Sequence, residues 1–368
     1  MNFDLQVKEN GKTIYPIILT SSYDRLEEVF HSLDTFDKKL CVVTDHNVDR
    51  IYKDELLNKI KEYGKEVYWY SFSPGEKHKN LETVYALYEK LIKWKFDRKD
   101  MLLALGGGVV GDLTGYVAAT YLRGISFIQL PTSLLAMVDS SVGGKTGVDF
   151  KGYKNMVGAF YQPRAVYINL KTLDTLEKNH YYNGMAEIIK HGLIKDIEYF
   201  NWLRKKEEQI LQYDKDTLSY MIWKSCHIKK EVVEKDPKEL KERALLNFGH
   251  TIGHAIEKYM DFQLLHGECV SIGMVASSLI SYKRGYLTKE EFDLILQVLK
   301  TFNLPVSIKE LVNKTGFSVN DLLDIIALDK KQESGKLKFI LLKELGKGII
   351  KTNVKEEEIR QAFDYILN

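Results

Sequence analysis

The chain has 368 residues, 45% of them hydrophobic and 28% charged, with 53 Lys+Arg against 51 Asp+Glu for a formal net charge of +2. Such proportions belong to an ordinary folded protein too long for one small domain, and they exclude whole-chain disorder, collagen and coiled coil. The near-balance of charge gives no electrostatic footing for nucleic acid or a charged membrane surface.

Short β-branched or aromatic runs predict strands at Thr13–Leu19, Leu40–Thr44, Val67–Phe72, Met101–Leu105 and Ile125–Leu130. Between them, stretches of helical period predict helices at Tyr23–Leu33, Val48–Tyr63, Leu81–Trp94 and Asp112–Tyr121. Strand–helix alternation argues for a parallel sheet covered by helices, a Rossmann-like α/β domain. After about Thr172 the pattern becomes long helices with charged faces: Met185–Lys195, Phe200–Tyr213, Asp216–Val233, Leu246–Tyr259, Glu268–Arg284, Lys289–Phe302 and Val319–Leu328. Only Lys338–Leu342 reads as a late strand. The expectation is an α/β domain over 1–175, a mainly α-helical domain over 176–368, and a ligand cleft between them.

Three cysteines, Cys41, Cys226 and Cys269, lie far apart and suit a reducing cytoplasm rather than a disulfide scaffold. The N-terminus, Met1-Asn2-Phe3-Asp4, has no basic stretch followed by an apolar core and is not read as a signal peptide. The least polar stretch, Cys269–Tyr282, is too short to span a bilayer, so no membrane association is expected.

The strand ending at Leu105 runs into Gly106-Gly107-Gly108-Val109-Val110-Gly111-Asp112. Gly106, Gly108 and Gly111 satisfy G-x-G-x-x-G between a strand and a helix, where backbone and helix N-terminus can approach a pyrophosphate. The turn follows the fourth predicted strand rather than the first, and no acid ends a strand about twenty residues later, as the ordinary dinucleotide fingerprint has. Asp45, ending an earlier strand, is the candidate for a ribose hydroxyl pair. Asp139-Ser140-Ser141-Val142-Gly143-Gly144-Lys145-Thr146 ends like a nucleotide-triphosphate loop, but Asp139 stands where that loop needs glycine. An acid there repels phosphate, so an NTPase is rejected. Lys145, with Lys154 and Asn155 nearby, is instead a candidate cradle for an anionic substrate.

Of nine histidines, three fall between 250 and 266. His250 and His254 are four apart and share a helix face, and His266 opens the next helix. Two imidazoles one turn apart plus a third suit a divalent metal, with Glu187 on an otherwise apolar helix as the carboxylate ligand. Glu187, Lys190 and His191 fall on one face. Spacing alone leaves open which two of the three histidines bind, and a buried Glu beside a Lys is also what a plain ion pair looks like.

Together these segments resemble the 3-dehydroquinate synthase family. The matching pieces include Pro74-Gly75-Glu76-Lys77-His78-Lys79-Asn80, Gly106–Asp112, Gln129–Gly147 and Leu246-Asn247-Phe248-Gly249-His250-Thr251-Ile252-Gly253-His254. They run in order over nearly the whole chain. The resemblance implies conversion of 3-deoxy-D-arabino-heptulosonate 7-phosphate to 3-dehydroquinate and phosphate, in the shikimate route to aromatic amino acids. The route is transient NAD-dependent oxidation, phosphate elimination, reduction and intramolecular aldol closure, with NAD and a divalent metal, zinc or cobalt.

The resemblance implies Glu187, His250 and His266 as metal ligands, with His254 and Glu239 as proton-transfer groups and Lys145 and Lys190 also catalytic. Asp45, Asn47, Glu76, Lys79, Gly106, Gly107, Gly108, Gly111, Asp112, Thr132, Ser133, Lys154, Thr172, Leu173 and Thr175 would line the NAD site. Asp139, Lys145, Asn155, Asn183, Lys190, Lys229, Arg243 and Asn247 would hold substrate, with Lys330 or Lys331. Arg123 would reach it from a neighbouring subunit, implying a homodimer. Pro74 and Pro237 depart from the family's usual residues beside candidate groups without replacing them.

Overall fold

The computed structural model describes residues 3–311, 318–332 and 338–368, with side chains for all of these except 328–332. The chain forms two compact units. The first comprises Met1–Glu177 with Lys229–Pro237, and the second Lys178–Ile228 with Lys238–Asn368.

The first unit runs β1 (Leu5–Glu9), β2 (Lys12–Thr20), α1 (Leu26–Ser32), β3 (Lys39–Asp45), α2 (His46–Ile60), β4 (Glu66–Phe72), α3 (Leu81–Lys93), β5 (Met101–Gly106), α4 (Gly108–Thr120), β6 (Ser126–Pro131), a hairpin of β7 (Lys145–Phe150) and β8 (Tyr153–Phe160), and β9 (Val166–Asn169). The main sheet has the order β1-β2-β9-β6-β5-β3-β4. Every pairing in it is parallel except β1 with β2.

Alternate residues of one strand serve two cores. Leu40 and Val42 pack with Phe30, Tyr52 and Leu56 under α1 and α2, whereas Cys41 and Val43 pack with Val84, Leu87, Leu113 and Val117 under α3 and α4. A strand covered on both faces reads as an unbroken apolar run, which is why β3 and β5 stand out in the sequence. From β3 the chain turns outward to β4, and from β5 it turns the other way to β6. The order therefore reverses between β3 and β5, and the crevice beyond their carboxyl ends is where open α/β sheets bind ligands.

Several strands differ from expectation. β1 and the four-residue β9 are too short for a clear pattern, and β8 carries Lys, Asn and Gly along a largely exposed face. Helix α4 starts at Gly108 rather than Asp112, because glycines of poor helical propensity occupy its first turn. Lys145 opens β7 instead of sitting inside a loop.

The second unit comprises α5 (Lys178–Lys195), α6 (Ile197–Lys205), α7 (Glu207–Leu211), α8 (Lys215–Lys235, whose end returns to the first unit), α9 (His250–Tyr259), α10 (His266–Lys283), α11 (Lys289–Thr301), α12 (Val319–Gln332), β10 (Phe339–Glu344), β11 (Lys347–Lys351) and α13 (Glu356–Leu367). α10 is buried nearly all round, against α5, α9, α11, α13 and β10. The helix expected over 200–213 is two helices, parted at Lys206. The helix expected from Leu246 starts at His250, after a 3-10 turn over Glu242–Asn247 and a left-handed Gly249 at φ +81°. Among the described residues no helix is long and apolar enough to cross a membrane.

Candidate active site

The parallel strands of the first unit end on the residues that the glycine motif singled out. β5 delivers Gly106, Gly107 caps α4 without any side-chain hydrogen bond, and Gly108 is the first helical residue. The Gly111 N–H is used internally, bonding to the Gly107 carbonyl at 3.0 Å. Donors ahead of it, at the positive end of the helix dipole, are the ones a pyrophosphate needs. A Cβ on Gly107 would stand 3.5 Å from Ser133 Oγ, filling space between the turn and the end of β6, while one on Gly111 would meet Gln129 Oε1 at 2.7 Å. Gly107 thus keeps the approach open, and Gly111 lets the helix sit close on the sheet.

Neighbouring strand ends complete this rim. Asp45 ends β3 and caps α2, its Oδ1 accepting from Asn47 N at 2.9 Å and Val48 N at 3.1 Å. Thr132 follows β6 and donates its N–H to Gly106 O at 3.0 Å. Thr172, Leu173 and Thr175 lie on the 3-10 turn after β9, where the Tyr52 hydroxyl contacts both Thr172 O and Thr175 Oγ1. Tyr52 had no motif to reveal it. Its sequence signal was that of an ordinary apolar helix position.

Lys79 is 4% exposed, with Nζ 2.6 Å from Asp112 Oδ2, 2.5 Å from Asn155 Oδ1 and 3.7 Å from Glu76 Oε1. Burial pushes its ammonium toward neutrality, but Asp112 and Glu76 outweigh that and hold it cationic. Asn155, at φ +52°, also donates its N–H to Asp149 Oδ1 at 2.8 Å. Residues spread over 76–155 therefore form one polar cluster around the buried Lys79, beside the start of α4. Elsewhere in this unit Lys229 donates to the carbonyl and carboxylate of Asp139. Lys145 is exposed and Lys154 half-buried. Arg123 sits at φ +67°, after Leu122 at φ +51°.

In the second unit three helices converge on one carboxylate. Glu187, in the middle of α5, is fully buried. Its Oε1 has no hydrogen-bond donor and lies 3.8 Å from His250 Nε2 and 3.7 Å from His266 Nε2, while Lys190 pairs with Oε2. The other ring nitrogens are committed: His250 Nδ1 is 3.2 Å from Phe248 O, and His266 Nδ1 is 3.0 Å from Glu257 Oε1. Both of those partners accept, so each neutral ring carries its proton on Nδ1 and turns an Nε2 lone pair toward Oε1. Three lone pairs meeting in a buried space require a positive charge among them.

The electrostatics show the same demand for positive charge, met by a proton on His266. Burial pushes the Glu187 carboxyl up, but the Lys190 ammonium and the two imidazoles outweigh it and hold the carboxyl well below the usual range. Burial pushes His266 down, but Glu187 and Glu257 lift it to about 10, whereas burial and Lys190 push His250 well down. One carboxylate oxygen and two imidazole nitrogens within 4.8 Å of one another suit a zinc-sized cation, whose ligands at about 2.0–2.2 Å stand roughly 3.3–3.6 Å apart. Spacing had left the histidine pair open. His254 is exposed, its ring 5.2 Å from that of His250. It forms a second group with Glu257 and His266, but there Glu257 is already the hydrogen-bond acceptor of His266 Nδ1.

The remaining candidates of this unit lie on the same helices, on the segments that precede them or on α12. Asn183, one turn before Glu187, accepts the Gly267 N–H at the start of α10. Asn247 Nδ2 donates to Glu239 Oε1 at 2.7 Å, Glu239 being at φ +58°. Arg243 is 2% exposed on the turn before α9. Lys330 and Lys331 fall within α12, and their side chains lie outside the described residues.

Comparison with known proteins identifies the family of the chain. Residues 69–183 match the family described as 3-dehydroquinate synthase N-terminal, and residues 184–332 the one described as 3-dehydroquinate synthase C-terminal. The chain is 46% identical over 345 residues to the 3-dehydroquinate synthase of Ruminiclostridium cellulolyticum, covering 94% of each chain. It is 42% identical over 345 residues to that of Acetivibrio thermocellus, again covering 94% of each. Among solved structures it is similar to 2-epi-5-epi-valiolone synthase from Streptomyces hygroscopicus, solved with NAD+ and Zn2+ bound, with a TM-score of 0.86, 26% identity, and 98% and 99% of the two chains covered. The chain is an enzyme of the sugar-phosphate cyclase type and belongs to the 3-dehydroquinate synthase family.

Proposed function

We propose that this chain converts 3-deoxy-D-arabino-heptulosonate 7-phosphate into 3-dehydroquinate and phosphate, as an NAD- and metal-dependent, phosphate-eliminating carbon–oxygen lyase. The observation that carries the reading is the convergence of Glu187, His250 and His266 lone pairs within a chain of this family. In this reading residues 1–175 bind NAD, and residues 176–368 bind the metal through those three side chains and contribute substrate groups. When bound, NAD supplies reversible hydride acceptance, and the metal supplies charge stabilisation at a substrate oxygen.

The chain's own groups do the rest. Gly107, Gly108 and the α4 N-terminus hold the pyrophosphate, Asp45 holds a ribose, and the Lys79–Asp112 pair fixes the adjoining loop. Lys145, Lys190, Lys229 and Arg243 balance the two anionic groups of the substrate, its carboxylate and its phosphate. Asp139 orients Lys229. His254, exposed beside the two imidazoles, moves a proton at a substrate hydroxyl, and Glu239 is a second proton acceptor. Arg123 completes the site of a second copy in a homodimer, and the compartment is the cytoplasm.

The test is incubation with the heptulosonate phosphate, NAD and zinc. Phosphate release without net NADH is expected. Phosphate release seen only with a heptose 7-phosphate or glucose 6-phosphate instead places the chain with the valiolone- or inosose-forming cyclases and overturns the substrate assignment.

A further inference from the structure

His266 is held from behind by a carboxylate that the sequence did not single out. Glu257 lies on α9 seven residues after His250, about two turns along the same face. It is 2% exposed, with Oε1 3.0 Å from His266 Nδ1. The backbone beside His266 is fixed separately. The Asn183 side chain takes the Gly267 N–H, and a Cβ on Gly267 would stand 2.1 Å from the Asn183 carbonyl oxygen. With the backbone fixed, rotation of the ring is what remains to be set, and the Glu257 hydrogen bond sets it. A buried carboxylate is costly to desolvate, so its place behind an imidazole calls for a compensating role.

We propose that Glu257 is a positioning residue for the cation site. It fixes the ring and tautomer of His266 so that the Nε2 lone pair converges with His250 Nε2 on Glu187 Oε1. Helix α9 thereby contributes twice, through His250 as a ligand and through Glu257 as the orienter of a ligand on α10. The inference rests on the metal reading above.

Apoprotein prepared by chelation is titrated with Zn2+ and with Co2+ for three chains: wild type, Glu257→Met, which keeps volume but removes the acceptor, and Glu257→Gln, which keeps an acceptor oxygen. The expected result is a Kd raised about 10–100-fold in Glu257→Met, with weakened and shifted visible Co2+ absorption and an apoprotein Tm like that of wild type. Glu257→Gln is expected to restore most of the affinity and the spectrum. Wild-type Kd and spectrum in Glu257→Met, or a Glu257→Gln chain no better than Glu257→Met, overturns the role. Should Glu257→Met not fold, Glu257→Ala takes its place with the same criteria. A wild-type chain that takes up neither metal overturns the metal reading itself, an outcome distinct from the failure of Glu257.

Discussion

A carboxylate buried in a helical core is stable only where positive charge meets it, and Glu187 has Lys190 on its own helix and two imidazoles from others. Its removal and the removal of a ligand imidazole should act alike. Glu187→Ala and His250→Ala are expected to lose bound metal, whereas His254→Ala keeps it. Elemental analysis of the three purified chains decides, and equal loss in all three undoes the ligand assignment. Lys79 presents the reverse case, a buried cation among acids. Lys79→Ala leaves the half-buried Asp112 without its partner, which should cost about 1–3 kcal/mol in denaturant unfolding and weaken NAD binding. Unchanged stability and unchanged NAD affinity would show that the pair has neither role.

At the scale of elements, the proposed metal centre depends on how closely α9 approaches α10. A Cβ on Gly273 would stand 1.9 Å from Gly249 O, and one on Gly253 would stand 2.9 Å from Cys269 O. Both obstacles are backbone atoms, so no rotamer change relieves them. Gly273→Ala must part the two helices that carry His250 and His266. We expect a loss of about 1–3 kcal/mol or more, read as a lower Tm, together with reduced metal content. An elevated or unchanged Tm with full metal content argues against the close crossing. Capping gives a second prediction. Asp196 caps α6 through Tyr199 N at 2.9 Å and pairs with Lys224 at 2.8 Å. Burial pushes its carboxyl up, but Lys224 and the helix N–H groups outweigh this, and its proton affinity falls below the ordinary value. A carboxyl depressed on folding stabilises above its unfolded pKa, and that contribution is lost as pH falls through the lower folded value. Asp196→Ala should therefore cost about 1 kcal/mol at neutral pH, with the difference from wild type shrinking below about pH 4. A Tm difference constant across that range counts against it.

For the whole molecule, the proposed homodimer makes a prediction that no single-chain property can mimic. If Arg123 serves a neighbour's site, mixing Arg123→Ala with His250→Ala and re-equilibrating the subunits creates hybrids with one intact site. Two nearly inactive preparations should then yield about a quarter of wild-type activity, the share expected for random pairing in a two-fold dimer. No recovery, in subunits shown to exchange, means that Arg123 acts within its own chain. Sedimentation of the wild type provides the companion measurement of two chains per particle.

How much of this was legible in advance follows from the range of the interactions. Local periodicity and glycine placement are properties of neighbouring residues. They were enough to mark β3, β5 and β6 as buried strands, to put a phosphate-sized turn after β5, and to set His250 and His254 on one helix face. They were not enough for β1 and β9, short strands defined by their pairing with β2, nor for the start of α4, where glycines mask a helix that the sheet positions. The sheet order, with its reversal between β3 and β5, is likewise a matter of long-range pairing. The same distinction divides the proposed metal centre. Composition and spacing supplied three imidazoles and a carboxylate. Which ring nitrogens face Glu187 Oε1, and that Glu257 stands behind His266, depended on tertiary structure, because burial and hydrogen bonding between separate helices choose a ring's orientation and no local pattern encodes it.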